Sequence, residues 1–157
     1  MEQKRLNIHE KGQKALKAMY SLGGYQGIGN VDKRLLELIC FRVSQINGCA
    51  YCLDMHSKDL RAEGETEQRL YMIAAWHETP FFSPRERAAL AWAEAVTTLG
   101  HGRVSDEVYA EVSKHFSEEE IIDLTMTTLT INCYNRINVA FRVEGGSYQV
   151  GQFARGR

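Results

Sequence analysis

The sequence has 157 residues, enough for one domain with a sizeable core. Its 19 basic and 20 acidic residues give a formal charge of -1, which leaves no electrostatic footprint for nucleic acid. No apolar run reaches the length of a membrane span, and the polar start Met-Glu-Gln-Lys-Arg does not read as a signal peptide, so a cytoplasmic protein that does not enter membranes is expected.

Only two prolines and a wealth of Ala, Leu, Glu and Arg favour an all-α chain. Residues 7–19 predict a first amphipathic helix with Ile8, Ala15, Leu16 and Met19 as contacts and its lysines facing solvent. Gly23, Gly24, Gly27 and Gly29 form a loose connection. No strand precedes them and no Gly-Lys-Ser/Thr follows, so they are not a phosphate loop. Helices are predicted over 32–46 and 50–62, then from a Thr66 cap to Trp76, with Pro80 as a stop. Ser83-Pro84-Arg85-Glu86 reads as a capping box opening a helix over 84–98, with Ala88, Leu90, Ala91, Ala95 and Leu99 packing closely. Ser105 caps a helix to about His115. Ser117 with Glu120 opens a last long helix toward Val143, whose many Thr and Ile residues require burial to compensate for low propensity. After Gly145-Gly146, residues 146–157 are expected to be mobile or to dock on a neighbouring subunit. No repeat or internal boundary divides the chain, so 1–157 reads as a single domain.

The stretch 37–56 carries the chemistry. Asn47-Gly48 is a helix break, after which Cys49, Cys52 and His56 fall within roughly 60° of arc on one helix. Cys49 stands at the first turn, where unpaired N–H groups and the helix dipole favour a thiolate. His56 lies one turn beyond Cys52, placed to take its proton, and only the thiolate is a nucleophile. Glu37 sits among Leu36, Leu38, Ile39, Cys40 and Phe41, where desolvation is expected to raise its pKa toward the range useful for proton transfer. If the two helices form a hairpin, Glu37 approaches His56 or the cysteines.

On the residues alone, a redox-active dithiol competes with a zinc site made by Cys49, Cys52 and His56 with Glu37 or water, and with an inert core pair. No second Cys-x-x-Cys is present, which weakens a closed zinc site, and neither a metal nor a cofactor is assigned. Cys40 and Cys133 read as buried small hydrophobes. His9, His77, His101 and His115 read as surface or capping residues, and Trp76 and Trp92 as core or subunit contacts. Asn132, Asn135, Arg136 and Asn138 suggest an interhelical hydrogen-bond network, or a contribution to the active-site wall of an adjacent subunit.

A Glu, twelve residues on a Cys-x-x-Cys, and then a His four residues past the second Cys together resemble the alkylhydroperoxidase AhpD / carboxymuconolactone decarboxylase-like family. The run from Trp76 through Thr79-Pro80-Phe81-Phe82-Ser83-Pro84 to Trp92 and Thr97 is similar to the segment that follows in its small members. The resemblance covers roughly residues 15–145. It implies an AhpD-like bundle of six to seven helices that assembles into a homo-oligomer, a trimer or hexamer. The activity it implies is hydroperoxide reduction through a disulfide, re-reduced by an external dithiol donor. By position, Cys52 attacks peroxide, Cys49 resolves, and Glu37 and His56 relay the proton. AhpD has a His just before the second cysteine, where this chain has Tyr51. That departure motivates an alternative, a redox sensor or stress-response binding protein with weak peroxidase turnover. The decarboxylase branch lacks the cysteine pair, which counts against its activity here.

Overall fold

The four predicted N-caps Thr66, Ser83, Ser105 and Ser117 each accept a hydrogen bond from a backbone N–H of the first helical turn. Ser83–Glu86 and Ser117–Glu120 both close reciprocal capping boxes. These caps set the heads of four helices in a computed structural model that describes residues 5–27 and 29–153. Among the described residues it is all-helical: α1 Ile8–Lys11, α2 Gln13–Gly23, α3 Lys33–Asn47, α4 Ala50–Ala62, α5 Glu67–Met72, α6 Pro84–Thr98, α7 Asp106–Ser113 and α8 Glu118–Phe141.

This is one α-helix more than the six to seven expected, because the first predicted helix is in two pieces. The chain breaks at Gly12, whose N–H bonds Ile8 O at 2.8 Å and where a Cβ would stand 2.4 Å from Ile8 Cδ1. Of its predicted contacts Leu16 is buried, Ile8 and Met19 are half-buried and Ala15 is exposed. The helix predicted from Thr66 to Trp76 leaves α geometry after Met72 and continues as a 3₁₀ segment kinked at Ala75, which buries Ile73 and Trp76. Leu99, expected in the core, is exposed because it is the left-handed cap of α6.

Helix α3 is the centre of the bundle and packs on α4, α6 and α8. Val43 and Ile39 face a core shared with Cys49, Cys52, Ala89, Ala93 and Leu124, whereas Leu38 and Phe41 face a second with Leu60, Ile73, Trp76 and Leu90. Buried on α8, Thr128 and Thr130 return their hydroxyls to the carbonyls of Leu124 and Met126, so burial leaves these oxygens paired. In the tail, Gly146 and Tyr148 bond to α4 of the same chain, and Phe153 stacks on Tyr148. Asp54 Oδ2 accepts the N–H groups of Gly146 and Tyr148 at 2.9 and 3.1 Å, and the buried Tyr148 donates to Asp59. Residues 154–157 lie outside the described set.

Candidate active site

The turn between α3 and α4 is made by Gly48 in the left-handed region, φ 65° and ψ 34°. Its N–H and that of Cys49 return to Gln45 O and Ser44 O, folding α4 back along α3. Cys49 is the N-cap of α4, and its Sγ accepts the Cys52 N–H at 3.4 Å. Both cysteines are unbridged and buried, each 1% exposed. The Cys52 thiol donates to Cys49 Sγ, which together with the helix N–H and the amides of Asn138 and Asn135 lowers the Cys49 pKa to about 6 against the pull of burial. The same hydrogen bond, joined by burial and the Cys49 charge, pushes the Cys52 thiol up. The pair therefore shares a proton, with the resting charge on Cys49, as the helix dipole predicts.

The hairpin brings Glu37 onto His56. Their Oε2 and Nδ1 atoms are 2.7 Å apart. Burial pushes the Glu37 carboxyl up, but the hydrogen bond and charge of His56 and the nearby Lys33 outweigh it, so its pKa is lowered. The expected rise does not occur, because the fold brings His56 and Lys33 alongside the carboxylate and they oppose desolvation. An ionised Glu37 accepts the Nδ1–H of His56, which leaves Nε2 as the ring nitrogen available for proton transfer. His56 is 6% exposed, and its Nε2 is a buried side-chain atom without a hydrogen-bond partner among the described residues. No group of three or more His, Cys, Asp or Glu side chains is placed to hold a metal ion among the described residues.

The residues matched by the family described as Carboxymuconolactone decarboxylase are 13–95, a span that holds Glu37, Cys49, Cys52 and His56. The chain belongs to that family. A family relative, the uncharacterized protein YdfG of Bacillus subtilis, is 43% identical over 136 residues, 87% of this chain and 92% of its own. A crystal structure from Agrobacterium tumefaciens superposes with a TM-score of 0.88 at 36% identity, covering 93% of this chain and all of that one. It is described as a protein of unknown function and candidate antioxidant defence protein AhpD. The alkyl hydroperoxide reductase AhpD of Streptomyces coelicolor is 41% identical over 73 residues, 45% of this chain and 39% of that protein. The AhpD-like fold of the family is thus the fold of this chain, and its peroxidase-related members are among its relatives.

Other side chains surround the dithiol and His56. The polar residues of α8 are an interhelical network: Asn47 Nδ2 donates to Asn132 and Asn135, each at 2.9 Å, and Asn135 donates to Ser44 at 3.0 Å. Its last member, Asn138, donates to Cys52 Sγ at 3.3 Å from within the same chain. The sequence marks Asn138 only as a polar residue in an apolar helix, and nothing in its spacing points to the sulfur. Tyr51 packs half-buried against the core, and burial followed by the charge of Cys52 raises its pKa. Arg42 pairs with Glu94 rather than Glu37, and Glu94 also accepts the Trp76 indole N–H. His77 stacks on Trp76 and His115 pairs with Glu111, while the His101 side chain lies outside the described set. An open cleft beside Trp76, Arg87 and Glu111 is lined by none of the four site residues.

Proposed function

We propose that this chain is a thiol-dependent hydroperoxide reductase cycling Cys49 and Cys52 between dithiol and disulfide. The observation that carries the reading is His56: buried, oriented by Glu37 through Nδ1, and presenting an unpartnered Nε2 one turn beyond the dithiol. Nε2 removes the Cys52 proton. The thiolate attacks the terminal peroxide oxygen, the S–O bond forms as the O–O bond breaks, and the departing alkoxide takes the proton from Nε2. Cys49, the more acidic sulfur, then attacks the Cys52 sulfenic acid as a thiolate, and the expelled hydroxide takes from solvent the proton that Cys49 had released to it and leaves as water. One hydroperoxide and two thiols become an alcohol, water and a disulfide, and an external dithiol returns both electrons.

Cys49 ionises first, so thiolate fraction alone favours Cys49; the attack is given to Cys52 because His56 lies one turn beyond it and the family resemblance assigns it there. The reading extends to a cytoplasmic homo-oligomer, a trimer or hexamer. Two features favour the alternative of a slow redox sensor: Tyr51 in place of an imidazole, and the burial of both sulfurs.

The test is hydroperoxide consumption with excess dithiol by wild type and Cys52→Ser, with thiols counted before and after. Wild-type turnover that vanishes in the variant, with Cys49 and Cys52 oxidised together when reductant is withheld, is expected. Thiols that oxidise without turnover replace the enzyme with the sensor. Turnover that survives loss of both cysteines removes the dithiol from the chemistry.

A further inference from the structure

We propose that Asn138 is a positioning residue for the dithiol, its side-chain amide holding Cys52 Sγ against α8 and meeting that sulfur with an N–H when it carries charge. The proposal rests on the thiol chemistry above and assigns a part of it to α8. Asn138 Nδ2 lies 3.3 Å from the sulfur, and Asn138 is 9% and Cys52 1% exposed, so solvent does not substitute for either partner. A neutral thiol is a weak acceptor, whereas a thiolate is a strong one. A buried amide donor facing sulfur is therefore best satisfied when the sulfur is anionic, and this difference between the two protonation states is what lowers the barrier to forming the nucleophile.

The amide is itself held in register. Asn132 and Asn135, six and three residues earlier on α8, grip Asn47 at the end of α3, and Asn135 also donates to Ser44. Asn132 reaches Thr97 of α6 at 2.9 Å. One face of α8 thus fixes both the turn that delivers Cys49 and the sulfur of Cys52. The ionisable groups around Cys52 are Cys49, Tyr51 and His56 of its own helix, with Glu37 of α3 behind His56, while α8 meets it with the uncharged amides of Asn135 and Asn138. The amides favour the negative charge on both sulfurs.

The test reads ionisation directly and needs no peroxide, so it stands or falls separately from the peroxidase reading. In the full-length Cys49→Ser protein, the pH midpoint for iodoacetamide alkylation of Cys52 is followed by mass spectrometry of its peptide. Asn138→Leu is expected to raise the midpoint by about one unit, equivalent to about tenfold less thiolate at a given lower pH. Asn138→Asp, which keeps the shape and replaces the donor by a carboxylate, is expected to raise it further. It also decides the matter if the leucine variant does not fold. Unchanged midpoints in the folded variants overturn the proposal, since a purely structural asparagine alters melting temperature and not the titration of Cys52.

Discussion

Cys49 and Cys52 are two chemically identical side chains that the fold makes different. Cys49 ends a turn and receives N–H and S–H donors, which lower its pKa from the ordinary value near 9 to about 6. Cys52 lies one turn inside the helix and surrenders its proton less readily. The Cys49 difference is also a stability statement. Between about pH 6 and 9 the unfolded thiol holds a proton that the folded one has lost, so the unfolded state binds more protons and stability rises with pH. The contribution is fully present above the unfolded value and is lost as pH falls through about 6. Urea midpoints of the reduced protein should therefore separate from those of Cys49→Ser increasingly from pH 6 to 9. A constant separation would place the resting thiolate elsewhere.

Helices α3 and α4 matter less as individual helices than through the turn between them. Gly48 adopts φ 65°, and an added Cβ there meets nothing within 4 Å. Its replacement by Ala is therefore a test of backbone conformation without a steric clash. Gly48→Ala should cost about 1–2 kcal/mol in urea unfolding, and Gly48→Asn distinctly less, because Asn tolerates the left-handed region. Equal costs for the two would mean that some other property of glycine is required. A second constraint on α4 comes from the tail. Gly145 approaches its first turn so closely that a Cβ would stand 2.7 Å from Ala50 O, and the clasp of Asp54 on Gly146 and Tyr148 follows within one turn. The helix that carries the dithiol is thus held along α3, by Asn138 of α8 and by the tail.

In the bundle taken whole, α8 is apolar on more than one side. Leu124, Thr128 and Ile131 are buried, while Ile122 is 56% and Leu129 44% exposed, with half-buried Met126 and Cys133 completing a spacing of four, three and four residues. Such a face supports the proposed homo-oligomer. Light scattering on wild type and Leu129→Glu checks it: the wild type should exceed the monomer mass and the variant should lose mass while keeping its helicity. A monomeric wild type ends the proposal. Among the described residues no helix is long and apolar enough to cross a membrane.

Local signals were sufficient for much of this. Ser83, Ser117 and Gly48 mark helix ends through their own backbone and capping chemistry, and Cys49, Cys52 and His56 share a face by helix periodicity alone, so all of these are legible along the chain. The breaks at Gly12 and Ala75 leave no such mark: the first is a close backbone approach to Ile8 that helix periodicity does not register, and the second serves the burial of Trp76 in a core drawn from distant helices. The same limit applies at the site. The ionised state of Glu37 depends on His56 nineteen residues away, and the amide facing Cys52 comes from Asn138, eighty-six residues on. Hydrogen bonds and charge act over a few ångströms of space, so residue spacing identifies the groups that react, while packing sets which of them is charged and which atom each one faces.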